Sequence, residues 1–136
     1  MITYAYIPAN EISTETRVAA EMALAAARKE LKLPMVRIKW FAKVEKIHNP
    51  YNPHAEGNPD VYGLGTFTNE VDILGVFRGA EPDAICVRAS QSVAATKETV
   101  YHETFHLWQL KQGFGFADHS EGLAQGYAED ALKRMR

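Results

Sequence analysis

Tyr101-His102-Glu103-Thr104-Phe105-His106-Leu107-Trp108-Gln109 places two histidines four residues apart inside an otherwise largely apolar run. On a helix, residues i and i+4 stack on one face, so both imidazoles can reach a single metal ion. Glu103 falls about 100° further round, close enough to touch a water on that ion without being a ligand itself. Val100 and Leu107 form one apolar strip, and Tyr101, Phe105 and Trp108 another. A helix apolar on most sides is a buried one, and two histidines on its remaining face need partners there. Read outward from the motif, this helix runs from about Ser92 to Gln112, with Gly113 and Gly115 as its closing residues.

The rest of the chain supplies a setting for that helix. Residues 14–33 carry helical periodicity: Val18, Met22, Ala25 and Ala26 recur at three- and four-residue spacing and form the expected core stripe, with Glu15, Arg17, Arg28 and Lys32 mostly elsewhere. The other use of such a face is a partner or membrane surface. Ser13 or Thr14 caps its start and Leu33-Pro34 marks its end. Val36, Ile38, Trp40 and Ala42 alternate with Arg37, Lys39, Phe41 and Lys43, as in a strand buried on one face. Three Asn-Pro pairs between His48 and Asp60 enforce a loop. Tyr62–Phe67 and Ile73–Phe77 read as a hairpin or two consecutive strands, Ile85-Cys86-Val87 as a short buried strand, and a last helix begins near Ser120. Helix, strands, then two helices is an α+β order.

Composition narrows the class. A chain of 136 residues with 46% hydrophobic and 24% charged residues is one globular domain, 1–136. The net charge of −2 gives no basic excess to hold a nucleic-acid backbone. The opening MITYAYIPANE has neither Lys nor Arg and no long apolar core, so no signal peptide is expected, and no apolar run is long enough to span a membrane. The single Cys86 cannot form an intramolecular bridge. A cytoplasmic protein is the expectation.

A catalytic zinc takes three protein ligands and leaves a fourth position to water. The metzincin pattern would need Gly at 109 and His at 112; the chain has Gln109 and Gln112, which excludes that class. Asp118, His119, Glu121, Glu129 and Asp130 are the candidates downstream. Glu121 is preferred, because Ala124, Gln125, Ala128 and Leu132 share its helical face and the small alanines let this helix approach the histidine helix closely. Glu129 and Asp130 lie further along, as solvated or supporting groups.

HETFHLWQ (102–109) followed by SEGLAQGYAE (120–129) resembles the gluzincin branch of the zincin metallopeptidases, nearest to peptidase MA-like and aminopeptidase-type members. The resemblance covers about residues 100–130. It implies His102, His106 and Glu121 as zinc ligands and Glu103 as the catalytic acid/base. It also implies a zincin-like α+β fold, with an N-terminal helix and a small mixed sheet behind the H-E-x-x-H helix and a glutamate-bearing helix after it. An edge strand, Ile73–Phe77 or Tyr62–Phe67, would pair with an extended peptide. The chain departs from the thermolysin-like pattern at Gln125, where Asp is usual, so the group orienting a ligand histidine is open among Asp118, Gln125 and Asp130. Tyr127 and His119 are the nearby candidates for a transition-state stabiliser, with packing and exposure as their ordinary roles.

Other signals are weaker. His48 and His54 flank a proline-rich loop and would make a second metal site only if that loop closed. Gly63-Leu64-Gly65 lacks the Lys-Ser/Thr of a phosphate loop and reads as strand glycine. The expected function is zinc-dependent hydrolysis of peptide or protein substrates, with Glu103 as general base towards water activated by the metal. The alternative is a zincin-fold metal-binding interaction or regulatory module; Glu103 speaks against it, since a purely structural site has no use for a general base.

Overall fold

The computed structural model describes residues 6–41, 61–62, 75–78, 83–113 and 120–135. Ser13 opens the first helix, α1 (Thr14–Leu31), by accepting a hydrogen bond from the Thr16 backbone N–H at 3.2 Å. Lys32 ends it in the left-handed region at φ 55°, where Lys32 and Leu33 both donate to the Arg28 carbonyl. The stop thus comes just before the Leu33-Pro34 boundary.

Among the described residues, five strands form one mixed sheet: β1 (Tyr6–Ile7), β2 (Arg37–Phe41), β3 (Val61–Tyr62), β4 (Gly75–Arg78) and β5 (Ala84–Arg88), in the order β1-β2-β5-β4-β3. β2 and β5 are parallel, with Trp40 opposite Val87; every other pairing is antiparallel. Of the two strands expected at Tyr62–Phe67 and Ile73–Phe77, the described parts pair antiparallel as β3 and β4, with Tyr62 opposite Phe77; residues 63–74 lie outside the described residues. β4 is flanked on both sides, so the expected edge at Ile73–Phe77 is not one; Val61–Tyr62 carries the edge. The loop containing His48 and His54, the Gly63–Gly65 stretch, and Asp118 and His119 lie outside the described residues.

α2 (Val93–Lys111) is the centre of the molecule. It packs on β4 and β5 with one side and against α1 and α3 (Ser120–Arg134) with others. This explains its lack of a polar face: Val100, Tyr101 and Leu107 are all buried within a core that takes in Leu24, Trp40, Ile85, Val87 and Ala128. Its buried threonines satisfy themselves locally, Thr104 Oγ1 donating to the Val100 carbonyl at 2.6 Å and Thr96 Oγ1 to that of Ser92 at 2.8 Å. At the far end, Arg134 of α3 grips Glu30 of α1 through two bonds of 2.6 and 3.0 Å.

Two expectations require correction. β2 is not buried on one face alone: Trp40 and Phe41 point to opposite faces and both are buried. The buried stripe of α1 is Ala20, Ala23, Leu24 and Ala27, whereas Val18 and Met22 of the expected stripe are 49% and 66% exposed. Six alanines in this helix leave apolar positions on nearly every side, and the larger residues are not the ones that α2 accepts. Among the described residues, no helix is long and apolar enough to cross a membrane.

Close packing of α3 on α2 gives opposite expectations for two neighbouring sites. Ala128 is fully buried, so Ala128→Leu should cost about 1–3 kcal/mol through overpacking. A Cβ built on Gly126 meets nothing within 4 Å, so Gly126→Ala should stabilise by about 0.5–1 kcal/mol. Urea denaturation of the two variants beside the wild type checks both signs.

Candidate metal centre

The site is assembled by two helices. Ser92 caps α2 by accepting from the Ala95 N–H at 3.1 Å, and the resulting register puts His102 and His106 one turn apart, facing α3. Their ring centroids are 4.9 Å apart. Glu121 stands in the first turn of α3, and the buried small residues Ala124, Ala128 and Ala131 bring that helix close enough for its carboxylate to reach both rings. His102 Nε2 is bonded to Glu121 Oε1. His106 Nε2 lies 3.2 Å from the same oxygen and 3.2 Å from His102 Nε2.

These distances bear on what the three atoms could hold. Ligands at about 2.0 Å from a tetrahedral zinc stand about 3.3 Å from one another. Two of the three separations are close to that length; the His102–Glu121 contact is shorter and would have to open for an ion to enter. All three ligand atoms lie within 4.8 Å of one another, and nitrogen with carboxylate oxygen is a donor set that zinc accepts.

Both rings are also turned and held from behind. His102 Nδ1 meets Gln125 Oε1 at 3.0 Å, and His106 Nδ1 meets Gln109 Oε1 at 2.8 Å. The Gln125 amide is oriented by its own bonds, since its Nε2 donates to Glu98 at 2.6 Å and to Glu129 at 3.2 Å. Its oxygen therefore faces the ring, and His102 donates from Nδ1, which assigns Nε2 as the metal-facing nitrogen. Gln125 was one of three open candidates for this role. Asp130 is engaged with Arg134 instead, and Asp118 lies outside the described residues.

Gln109 and Glu98 were not foreseen as parts of the site. Spacing carried the signal for both: Gln109 is three residues after His106 and Glu98 four before His102, on the same helical rows. Glu103 is buried, at 6% exposure, on the next row of α2. Tyr127 is in a packing role, stacked on Phe105 at 4.9 Å and edge-on to Tyr101 at 6.4 Å. Burial and the nearby Glu30 carboxylate push its phenol above the usual range.

The electrostatics of the metal-free site follow from three proton- or metal-seeking groups sharing one point. Burial disfavours a charged His102, but the bonded Glu121 carboxylate, with the Glu103 charge beside it, outweighs this and pushes the ring up to about 9. Burial likewise opposes the charge on Glu121, and the two histidines overcome it, holding the carboxyl down at about 2. A proton on His102 Nε2 thus takes the position that a metal would occupy. Comparison of the chain with models of known protein families, with characterised proteins and with solved structures finds no match.

Two outcomes are expected. The raised His102 contributes stability that is complete below its ordinary value of 6.5 and lost as pH rises through about 9. The depressed Glu121 contributes stability present above its ordinary 4.5 and lost as pH falls towards about 2. Chelator-treated protein should therefore melt highest between those limits, and Glu121→Gln should flatten the alkaline limb in thermal scans across pH. Removing an orienting amide, by Gln109→Ala or Gln125→Ala, should weaken zinc binding by about 10–100-fold in a competition titration.

Proposed function

We infer that the chain is a zinc-dependent peptidase of the gluzincin type, with a zincin-like arrangement of its helices and sheet. The observation that carries this reading is the convergence of His102 Nε2, His106 Nε2 and Glu121 Oε1 on one point, two of their three separations being close to tetrahedral spacing and each histidine being held by an amide at its other nitrogen. Bound zinc would supply a Lewis acid for a peptide carbonyl and would make water more acidic. His102, His106 and Glu121 would hold the metal, while Gln109 and Gln125 fix the rings.

Glu103 does the proton work. One of its carboxylate oxygens takes the proton from water as the water oxygen bonds to the peptide carbon, and then delivers it to the amine nitrogen as the C–N bond breaks. Its burial on α2, next to the ligand histidines in sequence but on another row, suits a base that is not itself a ligand. An extended substrate would add to the sheet at the β3 edge, Val61–Tyr62. A cytoplasmic location is part of this reading, although the buried lone thiol of Cys86 fits a reducing compartment and a cysteine-poor exported protein equally.

The test is cleavage of a diverse peptide library by zinc-loaded protein beside Glu103→Gln. The wild type should cut and lose activity with chelator. Glu103→Gln should retain one zinc per chain while losing at least about 100-fold in rate. Equal cutting by the two, or no cutting by a wild type that holds zinc, would overturn the peptidase reading.

A further inference from the structure

The face of α1 turned away from the core has a symmetry of its own. Val18 and Met22 form an exposed i, i+4 ridge. On either side of it runs a shallow groove, of about 500 Å³ towards Lys97, Tyr101 and Met135, and about 540 Å³ towards Ala9 and Arg17. Counted from Met22, the seam has residues of matching class in both directions at three and four residues, Ala19 and Ala25 and then Val18 and Ala26, and the exposed charges Glu15 and Lys29 at seven. The apolar positions are mirrored, and the two charged ends are opposite in sign.

We propose that this face is the interface of a homodimer in which two copies of α1 pack antiparallel, with Met22 on the two-fold axis. An antiparallel partner sets residue 22+n against 22−n, so Val18 of one copy meets Ala26 of the other, and the ridge of each helix enters a groove of its neighbour. The alanines allow close approach. Glu15 of each copy then faces Lys29 of the other, twice per dimer. A two-fold axis demands such a self-complementary patch. A membrane surface would favour basic residues at both ends rather than one acid and one base, which selects a second copy as occupant. The seam is short, so the dimer belongs to the weak class, with dissociation at about micromolar concentrations or above. The inference does not depend on the peptidase reading.

Sedimentation equilibrium of the full chain up to about 1 mM tests it. The wild type should dimerise reversibly. Met22→Glu, at an exposed site where folding is unaffected by circular dichroism, should be monomeric throughout. Glu15→Lys and Lys29→Glu should each weaken association about tenfold, because two attractive pairs become two repulsive ones. The double variant restores both pairs with the charges exchanged and should regain the wild-type association, although it disfavours each isolated helix. A wild type that stays monomeric, including one that binds anionic vesicles instead, overturns the proposal. So does a dimer indifferent to Met22→Glu, or a double variant no tighter than the single ones.

Discussion

Three groups that attract cations, two imidazole nitrogens and a carboxylate oxygen, are aimed at one point by rigid helices, and much of the molecule is arranged around satisfying them. Left alone, their lone pairs would repel one another in a half-buried place where water screens poorly. A cation at the centre relieves this: a proton does so in the metal-free site, and a metal would do so under the proposed reading. The shifts of His102 and Glu121 in opposite directions are the proton's signature, a single interaction seen from its two ends. A divalent ion would satisfy the same three atoms at once instead of pairing two of them.

Bringing the groups together depends on small side chains. A helix bearing large residues at 124, 128 and 131 would stand further from α2, and the Glu121 carboxylate could not reach both rings. The fully buried alanines at these positions surrender apolar area in exchange for proximity. Compensation comes from the ring stack of Tyr127 on Phe105 and from the grip of Arg134 on Glu30, which fastens the end of α3 to α1. The site and the three-helix packing are therefore one construction.

The parts legible in the sequence are those where spacing and chemistry coincide. His102 and His106 at i and i+4, Glu121 ahead of a row of alanines, and an apolar envelope around both pointed to the two helices and the three side chains that the structure brings together. The three helices were found close to their expected limits because caps, a proline and glycines mark them, and β2 and β5 fall where alternation and a short apolar run signalled strands. The orientation of α1 was not legible. Alanine contributes so little area that Ala20, Ala23 and Ala27 gave no stronger signal than Val18, Met22 and Ala26, and only the surface of α2 decides between the two stripes. β2 misled for a related reason: Phe41 falls on the face assigned to polar residues, and alternation alone does not say that both faces of the sheet are covered there.

Gln125 bears on how the site balances affinity against reactivity. A carboxylate at that position would also orient His102, but its charge against Nδ1–H would raise the basicity of the ring and strengthen its hold on a proton. The carboxamide fixes the ring at the same geometry without that charge. Glu98 and Glu129 stand one bond further out, accepting from the amide nitrogen. There they polarise the amide and make the neighbourhood attractive to a cation, while the amide keeps them from His102. The same holds on the other side, where Gln109 rather than an acid meets His106. The negative charge in direct contact with the centre thus comes from Glu121, so a divalent ion bound there keeps a net positive charge. An ion less neutralised by its ligands draws more electron density from whatever occupies its remaining position. With two neutral amides behind the histidines, a divalent ion bound here would be held less tightly and would be more electrophilic than one backed by carboxylates, which is the balance the proposed peptidase reading requires.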